Sequence, residues 1–121
     1  MPAKVLIVDD EATVREVLSR QLEAWGYEVR DAASAEEALA LLEREGVGAI
    51  LLDNVLTGMT GLQALSEIRR RSPAPVLLMT GHFDPEFAKD ARLLGAADVL
   101  AKPWETGLLH TALKKALGAS A

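Results

Sequence analysis

The 121-residue chain has a formal net charge of −5, is half hydrophobic and about a quarter charged, and holds no cysteine. That is the composition of one globular domain able to bury its own core; it excludes disulfides and thiolate metal sites and suits a reducing cytoplasm. No apolar run approaches the ~18–20 residues of a membrane span, the N-terminus lacks the apolar stretch of a signal peptide, and no basic cluster exceeds Arg69-Arg70-Arg71, so direct nucleic-acid binding is not expected.

In chain order, an apolar run at residues 5–8 predicts a first strand that ends in Asp9-Asp10. Val14, Val17, Leu18, Leu22 and Trp25 then recur at helical spacing, with Gly26 where a C-cap belongs. A weaker strand falls at residues 27–29. Ser34-Ala35-Glu36-Glu37 reads as a capping box opening a second helix, which Gly46 closes. The third strand, 49–52, runs into Asp53, and the Thr60–Gln63 pair opens a third helix ending in the three arginines, where cations favour the helix dipole. The fourth strand, 76–79, runs into Thr80; Asp84-Pro85 starts the fourth helix and Gly95 stops it. The fifth strand, 99–101, runs into Lys102-Pro103, and a last helix spans 105–117 with Leu109, Ala112, Leu113, Ala116 and Leu117 as its inner face, leaving 118–121 as a frayed tail.

Short runs of continuous rather than alternating hydrophobicity suit strands buried on both faces of a parallel sheet. Strand and helix alternate five times, which predicts a single doubly wound α/β domain over residues 1–121, with right-handed crossovers and helices on both faces. No repeat or internal linker interrupts it, and no output domain is expected within these residues.

In an open α/β sheet, ligands bind beyond the carboxyl ends of the strands. Four strand ends here deliver Asp9, Asp10 and Asp53, the hydroxyl of Thr80 and the ammonium of Lys102 to one rim. A single aspartate after a strand is more often a cap or turn residue. Three together repel unless positive charge sits among them, and a hard divalent cation is the natural remedy. Mg²⁺ binds through a couple of carboxylates, water and phosphate oxygen, and Mn²⁺ fits the same ligands. A carboxylate beside a cation points to phosphoryl chemistry, in which aspartate is a competent nucleophile.

Taken as an ordered set, Val5-Leu6-Ile7-Val8-Asp9-Asp10-Glu11, Leu51-Leu52-Asp53 with Gly58-Met59 and Gly61, Met79-Thr80-Gly81, Gly95-Ala96 with Asp98, and Lys102-Pro103 resemble response-regulator receiver domains over essentially the whole chain. The resemblance implies a CheY-like, flavodoxin-like sheet of order 2-1-3-4-5. It implies that Asp53 accepts a phosphoryl group from the phosphohistidine of a sensor histidine kinase or phosphotransfer protein. Asp9, Asp10, Asp53 and the main-chain carbonyl of Val55 would hold Mg²⁺, Thr80 and Lys102 would bind the phosphoryl group, and the Lys102–Pro103 bond would be cis. The signal would leave through the face of the fourth helix, fifth strand and fifth helix, to a downstream protein or output domain, from a monomer or a phosphorylation-dependent homodimer.

Several positions depart from the family pattern. Val99 stands where an aromatic usually relays the switch: either the relay works differently or valine simply packs in the strand. Thr57 replaces a usual proline, which predicts a freer loop. Asn54 follows Asp53 where an apolar residue is usual, and either bonds locally or points inward. Val55 and His82 border the path of the hydrolytic water in the family; an apolar Val55 predicts slow self-dephosphorylation, and His82 reads chiefly as an exposed loop residue. His110 has no evident partner, and Trp104 reads as a packing anchor beside the site.

Two rival functions differ in kind. A haloacid-dehalogenase-like phosphohydrolase needs a second acid two residues after its nucleophile, where this chain has Val55. A pseudo-receiver, binding protein without phosphorylation, stays open through Val99 and Asn54.

Overall fold

The computed structural model describes residues 3–82 and 84–119. Seven strands and five helices follow in the order β1 (Lys4–Val8), α1 (Ala12–Ala24), β2 (Glu28–Ala32), α2 (Ala35–Arg44), β3 (Ala49–Asp53), β4 (Val55–Leu56), β5 (Met59–Thr60), α3 (Gly61–Arg71), β6 (Val76–Thr80), α4 (Pro85–Leu93), β7 (Asp98–Ala101) and α5 (Thr106–Ala119). The five long strands form one parallel sheet, β2-β1-β3-β6-β7. This is the expected order 2-1-3-4-5. The extra pair, β4 and β5, is a small antiparallel hairpin inserted between β3 and α3.

The continuous apolar runs conceal a period of two. Leu6, Val8, Ile50, Leu52 and Leu78 point into one buried cluster together with side chains of α2, α3 and α4. Val5, Ile7, Leu51, Leu77 and Met79 point into the other, against α1 and α5. Strands covered on both sides need apolar residues at every position. Full burial of each Leu or Ile here contributes about 1.5–3 kcal/mol.

Helix boundaries follow local chemistry. Thr60 and Gln63 form a complete capping box at α3. At α2 the box is modified: Ser34 accepts from the Glu37 N–H, but Glu37 reaches one residue further back, to the amide of Ala33. Asp84 caps α4 ahead of Pro85. Gly26 and Gly95 adopt φ of 92° and 107° just past α1 and α4, as left-handed caps.

Some expectations fail. Gly46 does not close α2: the helix ends at Arg44, Glu45 is already extended, and Gly46 has no positive φ. The second strand extends to Ala32 rather than stopping near Val29, because backbone pairing with β1 carries it through polar Arg30 and Asp31 at the sheet edge. Val17 is 53% exposed; α1 buries Leu18 and Leu22 instead. The last helix continues through Gly118 to Ala119, past the expected frayed end, and the rest of that tail lies outside the described residues. No described helix is long and apolar enough to cross a membrane.

Candidate functional site

The parallel register brings the strand ends to one edge. Asp53 is the last residue of β3, paired with Met79, and Thr80 follows Met79 at the end of β6. Asp9 extends β1 by one residue: its N–H donates to the carbonyl of Ala32 at 3.1 Å. The Lys102 N–H donates to the Thr80 carbonyl at 2.7 Å, which fixes the start of the segment after β7. The Lys102–Pro103 bond is cis, as the resemblance implied.

Within this edge, Asp9, Asp10 and Asp53 bring carboxylate oxygens within 4.8 Å of one another. Asp9 is wholly buried and Asp53 nearly so, whereas Asp10 is exposed. The Nζ of Lys102 lies 3.1 Å from Oδ2 of Asp9 and 3.3 Å from Oδ1 of Asp53. One ammonium therefore serves two buried carboxylates, and the cluster keeps a surplus of negative charge. That surplus, on hard oxygen donors, fits a divalent cation such as Mg²⁺ or Mn²⁺.

The electrostatics carry the same imbalance. Burial pushes the Asp53 carboxyl above the ordinary carboxylate range, the neighbouring Asp9 charge adds to the rise, and Lys102 with the Val55 backbone amide partly offsets it. For Lys102, burial alone would lower the ammonium pKa. The hydrogen bond and charge of Asp9 and the charge of Asp53 outweigh it, so the net shift is upward and the side chain is cationic at neutral pH.

Second partners set the geometry of these groups. Oδ1 of Asp9 accepts from the Glu11 N–H at 2.9 Å. Arg15 donates to the Asp9 carbonyl at 2.7 Å and to Asp31 at 3.1 Å, bracing the loop after β1. Thr80 is buried, and its hydroxyl turns to the His82 main chain, donating to the carbonyl at 3.3 Å and accepting from the N–H at 3.1 Å. The His82 side chain is exposed.

The departures also resolve into contacts. Asn54 is half-buried, and its main chain ties the end of β3 to its neighbours: the N–H donates to the Met79 carbonyl at 2.8 Å and the carbonyl accepts from the Gly61 N–H at 2.7 Å. Val55 is 69% exposed. Val99 is buried in the same core cluster as Ala88 and Ala91 of α4, so it packs as a strand residue. Trp104 packs against the α1–α5 side of the core, as anticipated. His110 does have a partner: its ring stacks on Trp25 with centroids 4.0 Å apart and planes within 4°. The two residues are remote in sequence, so nothing local signalled the pair. Thr57 sits at the turn of the β4–β5 hairpin and donates to Oδ2 of Asp10 at 3.1 Å. In the sequence this position reads only as a lost proline, although a hydroxyl close after an acidic strand end was the available signal.

Comparison with known proteins agrees with this architecture. The profile of the family described as "Response regulator receiver domain" matches residues 5–114. The response regulator protein FleR of Pseudomonas aeruginosa is 44% identical over 98% of this chain and 25% of its own length. A probable transcriptional regulator, ycf27 of Porphyridium aerugineum, is 32% identical over 94% of this chain and 48% of its own. The chain thus spans about a quarter to a half of these curated relatives. Among solved structures, the Vibrio cholerae chemotaxis protein CheY4 superposes with a TM-score of 0.90 at 33% identity, covering 97% of this chain and 100% of that one. NtrX from Brucella abortus gives 0.90 at 35% identity over 99% of this chain and 28% of that one. The chain belongs to the response regulator receiver domain family of two-component signalling.

Proposed function

We propose that Asp53 is the phosphoacceptor of this receiver and takes a phosphoryl group from a phosphohistidine on a partner kinase or phosphotransfer protein. The observation that carries the reading is the position of Asp53 at the end of β3, its Oδ1 3.3 Å from Lys102 and inside the three-carboxylate cluster. A carboxylate oxygen of Asp53 forms the O–P bond as the P–N bond to the donor imidazole breaks, and the imidazole nitrogen leaves with the electron pair. Lys102 neutralises charge on the transferring group and stays beside it afterwards. Thr80, now bonded to the His82 main chain, exchanges that partner for a phosphoryl oxygen.

Asp9, Asp10, Asp53 and the carbonyl of Val55 would hold Mg²⁺, which supplies positive charge to the phosphoryl oxygens when bound. The protein assists its own phosphorylation and dephosphorylation rather than turning over a separate substrate. The rearranged Thr80 then alters the face of α4, β7 and α5, which addresses a downstream protein or output domain. All five side chains of the site are present, so no observation favours a phosphorylation-independent binding module.

Incubation with acetyl phosphate and MgCl₂, followed by intact-protein mass spectrometry, tests the proposal. The expected result is a shift of one phosphoryl group that Asp53→Asn abolishes. No shift in the parent protein, or an undiminished shift in Asp53→Asn, overturns it.

A further inference from the structure

We propose that Thr57 is a positioning residue for Asp10: its hydroxyl holds the exposed carboxylate in the acidic cluster and thereby sets how tightly the cluster takes a divalent cation. The inference rests on reading Asp9, Asp10 and Asp53 as a cation site.

The three carboxylates are not equally constrained. Asp9 is fixed by burial, by Lys102, and by hydrogen bonds through its side chain and main chain. Asp53 is fixed by its place in β3 and by Lys102. Asp10 has neither burial nor a place in a strand, and an exposed carboxylate rotates freely unless something holds it. Thr57 does so from 47 residues along the chain, donating its O–H to Oδ2 at 3.1 Å and leaving the other oxygen of Asp10 for a cation.

The donor itself is well placed. Leu56, immediately before it, is buried in the α2–α3–α4 side of the core. Gly58, immediately after it, takes φ of 81° and turns the hairpin, and Thr60 at the hairpin's end caps α3. Thr57 is therefore presented on a short, anchored turn. The proline usual at this place in the family would fix φ but has neither a hydroxyl nor an amide hydrogen to offer Asp10. In this chain, a hydrogen bond from the hairpin to a ligand stands in for the stiffness of proline.

A ligand held near its binding position loses less freedom when the cation arrives. The net worth of one such exposed hydrogen bond corresponds to roughly two- to tenfold in affinity. Titration of the full chain with MgCl₂, read by amide chemical shifts in NMR, gives the apparent Kd without any phosphoryl donor. Thr57→Ala is expected to weaken Mg²⁺ by that factor, and Thr57→Ser to restore it to within about twofold. Asp10→Ala weakens binding further, and in that background Thr57→Ala has no additional effect.

Both positions are exposed, and matching thermal midpoints by circular dichroism establish that the variants fold. Unchanged or tighter binding by Thr57→Ala, or an equal loss when Asp10 is absent, overturns the positioning role while leaving the cation site intact. Unchanged binding in Asp10→Ala overturns the cation role of Asp10 and the positioning role with it.

Discussion

The Nζ of Lys102 lies 3.3 Å from Oδ1 of Asp53, tying the segment after β7 to the end of β3 across the intervening strand β6. The same nitrogen serves Asp9, so removing one cation strands two buried anions. The three groups are therefore coupled, and their charge balance can be tested from either side.

Removing the cation should be expensive. Lys102→Met leaves Asp9 and Asp53 buried without their ammonium, and breaking a buried pair in this way costs about 3–5 kcal/mol. Because the folded pKa of Lys102 is raised above its ordinary 10.5, its stabilisation is fully present below that pH and is lost as pH climbs through the raised value. Urea unfolding at neutral pH should show the loss, and added MgCl₂ should recover part of it. A variant as stable as the parent would contradict the pairing.

Removing an anion should do the reverse. The Asp53 carboxyl is raised above its ordinary 3.8, first by burial and then by Asp9. The fold therefore favours its protonated form. Its stabilisation is full below the unfolded value and is lost as pH rises through the folded one. Asp53→Asn cannot ionise and escapes this loss. In metal-free buffer its urea midpoint should exceed the parent's at neutral pH, with the difference shrinking as pH falls into the ordinary carboxylate range.

Gly61 is required by close approach rather than by φ. A Cβ there would sit 2.5 Å from Asn54 Cα and 2.9 Å from its carbonyl oxygen, and both are backbone atoms that cannot swing aside. Gly61→Ala should cost about 1–3 kcal/mol in chemical denaturation. It should also slow phosphorylation, because Asn54 directly follows Asp53. Parent-like stability would show that the β3–α3 connection yields more easily than this packing implies.

The Trp25–His110 stack joins the end of α1 to α5. His110→Ala should lower stability by about 0.5–1.5 kcal/mol beyond the buried area lost. It should also red-shift the emission of Trp25 as its exposed face meets water, best read in a Trp104→Phe background. Unaltered emission would mean that the rings do not stack in solution.

Val55 is 69% exposed and has no polar side chain to orient water beside the proposed acyl phosphate. Val55→Asn should shorten the phosphoryl lifetime severalfold, measured as decay of the phosphorylated mass after the donor is removed. An unchanged lifetime would dissociate this position from hydrolysis.

The sequence by itself determined the alternation of strands and helices, the N-caps of α2, α3 and α4, and which acidic, hydroxyl and basic residues stand at strand ends. These are local properties: a run of β-branched residues, a threonine three residues before a glutamine, an aspartate after an apolar stretch. Tertiary structure decided what depends on partners distant in the chain. β2 extends through Arg30 and Asp31 because β1 pairs with it, a backbone effect that side-chain hydropathy does not encode. His110 gains its role only when α5 lies beside the end of α1. Thr57 reads locally as a missing proline, yet the fold places its hydroxyl on Asp10. Asp53 itself was visible from the strand it ends, whereas the sharing of Lys102 with Asp9 required four strands, β1, β3, β6 and β7, in register. Charge positions can be read along a chain, but charge balance is fixed only where the chain comes together.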